Sequence, residues 1–296
     1  MSLSISNPYR PGGRWWRANL HTHTTASDGA LAPDLVCAKY REAGYHILAI
    51  TDHERLTPCG CQPEADFLTI PGTEVGWPNV LHLGARKVVQ GGTLPETLEA
   101  IQREGGLAVI AHPFSTTAES LLAVEGYQAI EIVNFFCLMH HEFGPEASPA
   151  GEALGLWDDL LRAGRRVWGI ASDDAHFKDV PDFAGAWVWV QAEELTEVEV
   201  LRAIEAGRFY ASEGPQVHEV TVEQDGSLHV RSTPVAEVRL VTDDSEATHT
   251  RRSDRGEDES FSVSLEGLGL MKPGYVRVEL RDVQGRRAWL NPVFID

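Results

Sequence analysis

From residue 18 to residue 190 the chain alternates short apolar runs with stretches that carry helical spacing. The apolar runs predict strands at Ala18–His21, His46–Ile50, Leu68–Pro71, Leu107–Ile110, Ala129–Val133, Val167–Ile170 and Trp187–Val190. Between them, Pro33–Ala43 opens on a proline suited to a first helical turn and stops at Gly44. Thr93 with Glu96 forms a capping box for a helix that ends near Gly105. Glu152–Ala163 ends at Gly164, and Thr196 with Glu199 starts a helix that closes at Gly207. Short buried strands separated by helices imply a parallel sheet or an α/β barrel.

After Ser212–Pro215 the pattern changes to alternation of period two. VHEVTVEQDGSLHVRS carries Asp225-Gly226 as a hairpin turn, and AEVRLVTDD, SFSVSLEG and GYVRVELRDVQGRRAWL continue it. This predicts two units: residues 1–213, and a small antiparallel β-sandwich over 214–296. The charged stretch TDDSEATHTRRSDRGEDES is the expected disordered loop.

Composition narrows the function. The 296 residues carry a formal net charge of -19, of which -14 falls in residues 1–214. No basic stripe is present, which argues against duplex nucleic acid as a partner. No apolar run is long enough for a membrane span, and the N-terminus lacks the layout of a secretion signal, so a cytoplasmic protein without membrane attachment is expected. Cys37, Cys59, Cys61 and Cys137 suggest no disulfide framework and no zinc knuckle, so reduced thiols are expected.

Candidate chemistry gathers at the ends of the predicted strands. His21 and His23 follow the first, with Asp28 five residues on. Asp52 and His53 follow the second and Glu74 the third, with His82 on the segment returning from it. His112 follows the fourth, and Asp173, Asp174 and His176 follow Val167–Ile170. In α/β barrels that rim is where active sites are built. Imidazole with carboxylate suits Zn, Mn or Fe, and nine of these groups, leaving out Asp52 and Asp173, are enough for two or three divalent ions sharing a carboxylate. Residues two positions apart on a strand project to one face, so one ion can take both His21 and His23. His46, His218, His229 and His249 are expected to be structural or solvent-facing. His140-His141 falls in a predicted loop, and Trp15 and Trp16 are expected to pack against the barrel.

HTHTTASDG, TDH, GTE with a trailing His, AHP and SDDAH, taken in that order over residues 17–180, resemble the PHP (polymerase and histidinol phosphatase) family. The DGA segment with Asp28 is similar to its trinuclear phosphoesterase branch. The appended β-unit ending RAWLNPVFI resembles CehA/McbA-like metal-dependent phosphoesterases. The resemblance implies a distorted seven-stranded (β/α)7 TIM-like barrel with two or three metal ions on its C-terminal rim. It implies that His21, His23, Glu74 and Asp174 hold one ion, that Glu74 bridges to a second held by His82 and His112, and that Asp28, His53 and His176 hold a third. Asp52 and Asp173 would then support the ligands from behind.

The implied activity is hydrolysis of phosphate mono- or diesters of small metabolites or nucleotides by a metal-bridging hydroxide. Glu74, Asp174 and His176 are the central catalytic candidates, and Lys178 and Arg55 are candidates for contacting substrate phosphate. Two other readings are open: a metal-dependent hydrolase of carboxylic ester, carbamate or amide bonds, and a non-catalytic binding module stabilised by metal.

Overall fold

The computed structural model of the chain describes residues 4–60, 65–140, 151–243, 249–252 and 259–296. Its first part runs β1 (Ile5–Ser6), β2 (Trp15–Asn19), α1 (Pro33–Glu42), β3 (Ile47–Ile50), β4 (Leu68–Val75), β5 (Val80–Leu83), α2 (Leu94–Glu104), β6 (Leu107–Ile110), α3 (Ala118–Leu122) and β7 (Ala129–Asn134). It continues through α4 (Phe135–His140), α5 (Leu154–Arg162), β8 (Trp168–Ser172), β9 (Trp187–Gln191), α6 (Glu197–Glu205) and β10 (Phe209–Ser212). The second part is all strand: β11 (Val217–Val222), β12 (Ser227–Ser232), β13 (Glu237–Thr242), β14 (His249–Arg252), β15 (Glu259–Ser264), β16 (Gly274–Arg281), β17 (Arg287–Leu290) and β18 (Val293–Ile295).

The strand order β9-β2-β3-β4-β5-β6-β7-β8 forms a curled sheet whose last strand comes up against β9 and β10 without pairing to them. β2, β3 and β4 run parallel, as do β6, β7 and β8. Two strands depart from the expected (β/α)7 alternation. β5 is inserted antiparallel between β4 and β6, because the tight Gly76–Asn79 turn must send the chain straight back. β9 is antiparallel to β2. The architecture is therefore a mixed α/β half-barrel.

Alternation along the strands separates two apolar layers. Leu20, Ile47, Ala49, Ile70, Leu81, Val109, Ala129 and Ile170 fill the concave side. Ile110, Ile130 and Ile132 face outward onto Leu98 and Ile101 of α2 and Trp157 and Leu160 of α5. α1 lays Val36, Cys37 and Tyr40 over Leu48 and Ile50.

β10 pairs with β9 on one side and β17 on the other, so one sheet runs on into the C-terminal strands. β1 joins it by pairing with β18. The separate sheet β11-β12-β15 covers it through Val217, Val220, Leu228 and Val230, packed against Val238, Leu240, Val276, Val278 and Leu280.

Three local expectations change. Cys37 is joined to Cys59, with Cα atoms 6.5 Å apart, rather than left as a free thiol. The reason is spatial: α1 and the segment after β3 pack side by side, although their cysteines lie 22 residues apart. Cys137 is buried and forms no disulfide, and Cys61 lies outside the described residues. His140 ends helix α4 rather than sitting in a loop, while His141 lies outside the described residues. Part of the expected disordered loop is strand β14, paired with β13; residues 244–248 and 253–258 lie outside the described residues.

Candidate metal centre

The rim residues are positioned by the ends of the parallel strands. β2 stops at Asn19, but Thr22 still bridges to Ala175 next to the end of β8, so strand-like alternation persists through the HTH segment. Both imidazoles therefore point inward, with their Nε2 atoms 3.2 Å apart. The chain then doubles back at Gly29. A Cβ there would meet the His23 carbonyl carbon and oxygen at 2.6 Å, so only glycine fits. His112 and Asp174 both sit at positive φ, 28° and 52°, and such backbone strain is typical of functional sites.

Glu74 stands at the centre, almost wholly buried. Its Oε2 lies 3.3 Å from His21 Nε2, His23 Nε2 and His53 Nδ1 alike. Its Oε1 lies 2.9 Å from His112 Nε2 and accepts a 2.7 Å hydrogen bond from Asn79 Nδ2. Asp174 Oδ1 lies 3.1 Å from His21 Nε2 and 3.0 Å from His23 Nε2. Farther out, Asp28 Oδ2 lies 3.1 Å from His176 Nε2, and Asp28 Oδ1 lies 3.5 Å from His23 Nδ1 and 3.8 Å from His53 Nε2. Donor atoms of His21, His23 and Asp174 fall within 4.8 Å of one another, and so do those of His23, Asp28, His53 and His176. His23 belongs to both groups.

This arrangement needs positive charge. Burial alone would keep His21 neutral, but the carboxylates of Asp174, Glu131 and Glu74 outweigh it and hold the imidazole well above its ordinary range. His23 is likewise raised, to about 9, by hydrogen bonds to Asp174 and Glu74 that overcome its desolvation. His112 is raised in the same way by Glu74, against its burial. Burial pushes Glu74 and Asp174 up, yet the surrounding imidazoles hold both below the usual carboxylate range. Hydrogen bonding to His176 keeps Asp28 low. Asp174 Oδ1 is buried and faces only the His21 and His23 imidazole nitrogens. Imidazole nitrogens converging with buried carboxylate oxygens form a donor set that could hold divalent metal ions.

Asp52 and Asp173 support these groups from behind. Asp52 accepts from the Thr24 amide (2.8 Å), the Thr24 hydroxyl (2.7 Å) and Ser27 Oγ (2.5 Å), fixing the turn after His23. Asp173 accepts from the amides of Ala184, Gly185 and Ala186 and from the Tyr40 hydroxyl, which anchors the segment after β8. Burial pushes its carboxyl up to about 6. Lys178 Nζ reaches Asp28 at 3.5 Å, at the exposed mouth. Arg55 is exposed, and its amide is tied to Thr73 Oγ1.

One predicted ligand is displaced. His82 pairs with Thr73, not Glu74, across the β4–β5 ladder, and so faces the helix side of the sheet. It is buried, neither ring nitrogen has a hydrogen-bond partner, and burial lowers its pKa, with Glu104 of α2 the nearby charge. Reversal of β5 puts Leu81 on Glu74's face and His82 on the other.

Several residues of the site were not singled out from the sequence. Asn79 holds Glu74, and Asp182 accepts from the His176 and Phe177 amides. Glu131 is fully buried against His21. Its signal was present: one carboxylate in the otherwise apolar AIEIV run of β7.

No protein-family profile and no curated protein matches the chain. Solved structures do. A two-domain protein from Bacteroides vulgatus, containing a predicted PHP-like metal-dependent phosphoesterase, aligns over 94% of both chains with TM-score 0.50 and 15% identity. A predicted metal-dependent phosphoesterase from Bifidobacterium adolescentis aligns over 63% of this chain and 94% of its own, with TM-score 0.41 and 16% identity. An amidohydrolase from Chromobacterium violaceum aligns over 54% of this chain and 87% of its own, with TM-score 0.38 and 16% identity. Over nearly its whole length, this chain has the fold of the two-domain PHP-like protein.

Proposed function

We propose that the protein is a metal-dependent hydrolase of phosphate esters, acting on small phosphorylated metabolites or short nucleotides. The observation that carries this reading is the convergence of His21, His23, Asp28, His53, Glu74, His112, Asp174 and His176 on one rim, with Glu74 reaching four imidazoles at once. His21, His23 and Asp174 would hold one ion, and Asp28, His53 and His176 another, with Glu74 and His112 beside them; a third ion fits the similarity to the trinuclear branch. Bound divalent ions would activate water near neutral pH and neutralise the ester oxygens.

The chain's own groups do the rest. His176 donates Nδ1–H to the Asp174 carbonyl at 2.8 Å, which fixes its tautomer and presents Nε2 to the site. Asn79 and Asn134 each pin one carboxylate, of Glu74 and Asp174, so neither rotates away. Lys178 at the mouth supplies an ammonium for a substrate phosphate oxygen, and exposed Arg55 is a second candidate. The acidic surface disfavours duplex nucleic acid.

The test is a panel of p-nitrophenyl phosphate, bis-p-nitrophenyl phosphate and p-nitrophenyl acetate, assayed with added Mn²⁺. Mn²⁺-dependent phosphate release supports the reading. Cleavage of acetate alone assigns the site to carboxylic esters, and no turnover of any of them favours a binding module.

A further inference from the structure

We propose that Glu131 is the positioning residue of the rim, orienting candidate ligands from three different strand ends through one buried carboxylate. The inference rests on the metal-centre reading above. Glu131 lies on the concave face of β7, in phase with Ala129 and opposite to Ile130 and Ile132, and is fully buried. Its Oε1 takes His21 Nδ1 at 2.8 Å and the Ser172 hydroxyl. Its Oε2 takes the His112 amide at 2.6 Å and Asn134 Nδ2 at 3.1 Å. Asn134 Nδ2 also reaches Asp174 Oδ2 at 3.1 Å, and Asn134 Oδ1 accepts from the Cys137 amide.

Each contact has a directional consequence. Accepting from Nδ1–H leaves Nε2 as the His21 nitrogen that gives up its proton and turns a lone pair toward Glu74 and Asp174, which is the tautomer a metal ligand needs. Gripping the His112 amide holds that residue at its positive φ, so Nε2 meets Glu74. Through Asn134, the same carboxylate fixes the rotamer of Asp174. Glu131 touches neither the solvent-facing mouth nor the Asp28–His176 group, so its effect is confined to the inner group.

The experiment compares wild type with Glu131→Gln and Asn134→Ala. Mn²⁺ titration by calorimetry is read beside thermal melting of the metal-free proteins and ¹⁵N chemical shifts of the His21 ring in the Zn²⁺-loaded proteins. Expected for Glu131→Gln is a 10–100-fold weaker affinity for the inner ion, with the outer ion retained and the His21 ring moved away from a single Nδ1–H tautomer. Asn134→Ala, which leaves His21 bonded to Glu131, keeps the tautomer and weakens the inner ion less. If Glu131→Gln folds and takes up Mn²⁺ with wild-type affinity and stoichiometry, or if only its melting temperature changes, the proposal is overturned. If Glu131→Gln does not fold, an unweakened inner ion in Asn134→Ala overturns it. Failure of wild type to bind Mn²⁺ would instead overturn the metal-centre reading itself.

Discussion

Single side chains decide whether this rim can hold positive charge. Glu74 is the one carboxylate that reaches His21, His23, His53 and His112 together. Glu74→Gln keeps the shape and removes the charge. Elemental analysis should show at least one ion lost, with hydrolysis down by ~100-fold or more. A second outcome concerns pH. His23 titrates at about 9 in the folded metal-free protein, above its ordinary value near 6.5. Its contribution is fully present below pH ~6.5 and is lost as pH rises through 9, on the order of 3 kcal/mol. Urea unfolding of chelator-treated protein at pH 6 and pH 9 reads this directly, the lower pH giving the higher midpoint. Metal uptake runs the other way, because it expels that proton and so strengthens with pH. The rim residues were legible in the sequence because each is a polar residue just past an apolar run. Glu131 lies inside such a run rather than past it, marked only by its charge, and Asn79 matters only once the β4–β5 turn has folded.

At the level of elements, every apolar run singled out between residues 18 and 190 overlaps a strand, and the four predicted helices are α1, α2, α5 and α6. Buried strands and capped helices advertise themselves through local composition. β5 did not: four residues after a tight turn carry no directional signal, and its reversal moved His82 to the wrong face. The join of Cys37 to Cys59 was equally hidden, since it depends on packing and not on spacing. The loop after β2 provides a test at this scale. Gly29→Ala forces a methyl against the His23 backbone, so the loop must shift. Expected is a tenfold or greater weakening of metal affinity, with loss of melting temperature limited to a few degrees, measured by calorimetry and circular dichroism.

Over the whole molecule, the C-terminal strands are tied to the half-barrel by buried charge. Arg277 on β16 is 2% exposed and lies over the Trp157 ring. It donates to Asp158 of α5 at 2.9 and 2.7 Å and to Glu279 at 2.5 Å. Arg277→Ala leaves Asp158 with only Arg162 and Glu279 with only Arg239 in a poorly solvated seam, which should lower stability by about 1–3 kcal/mol in denaturant titration. With one sheet continuous through β10 and β17, the expected unfolding curve is a single transition. Alternation made the C-terminal strands readable, but nothing in it showed that β1 and β10 would complete their sheet. Among the described residues, no helix is long and apolar enough to cross a membrane.

Ser4 and Asp296 exchange both backbone hydrogen bonds, and β1 runs antiparallel beside β18 from there. Pulled apart by handles at these two residues, as in an optical trap, the ladder opens one bond at a time like a zipper, with no row of bonds sharing the load. The protein should therefore yield at low force from that corner, however firmly its rim is held.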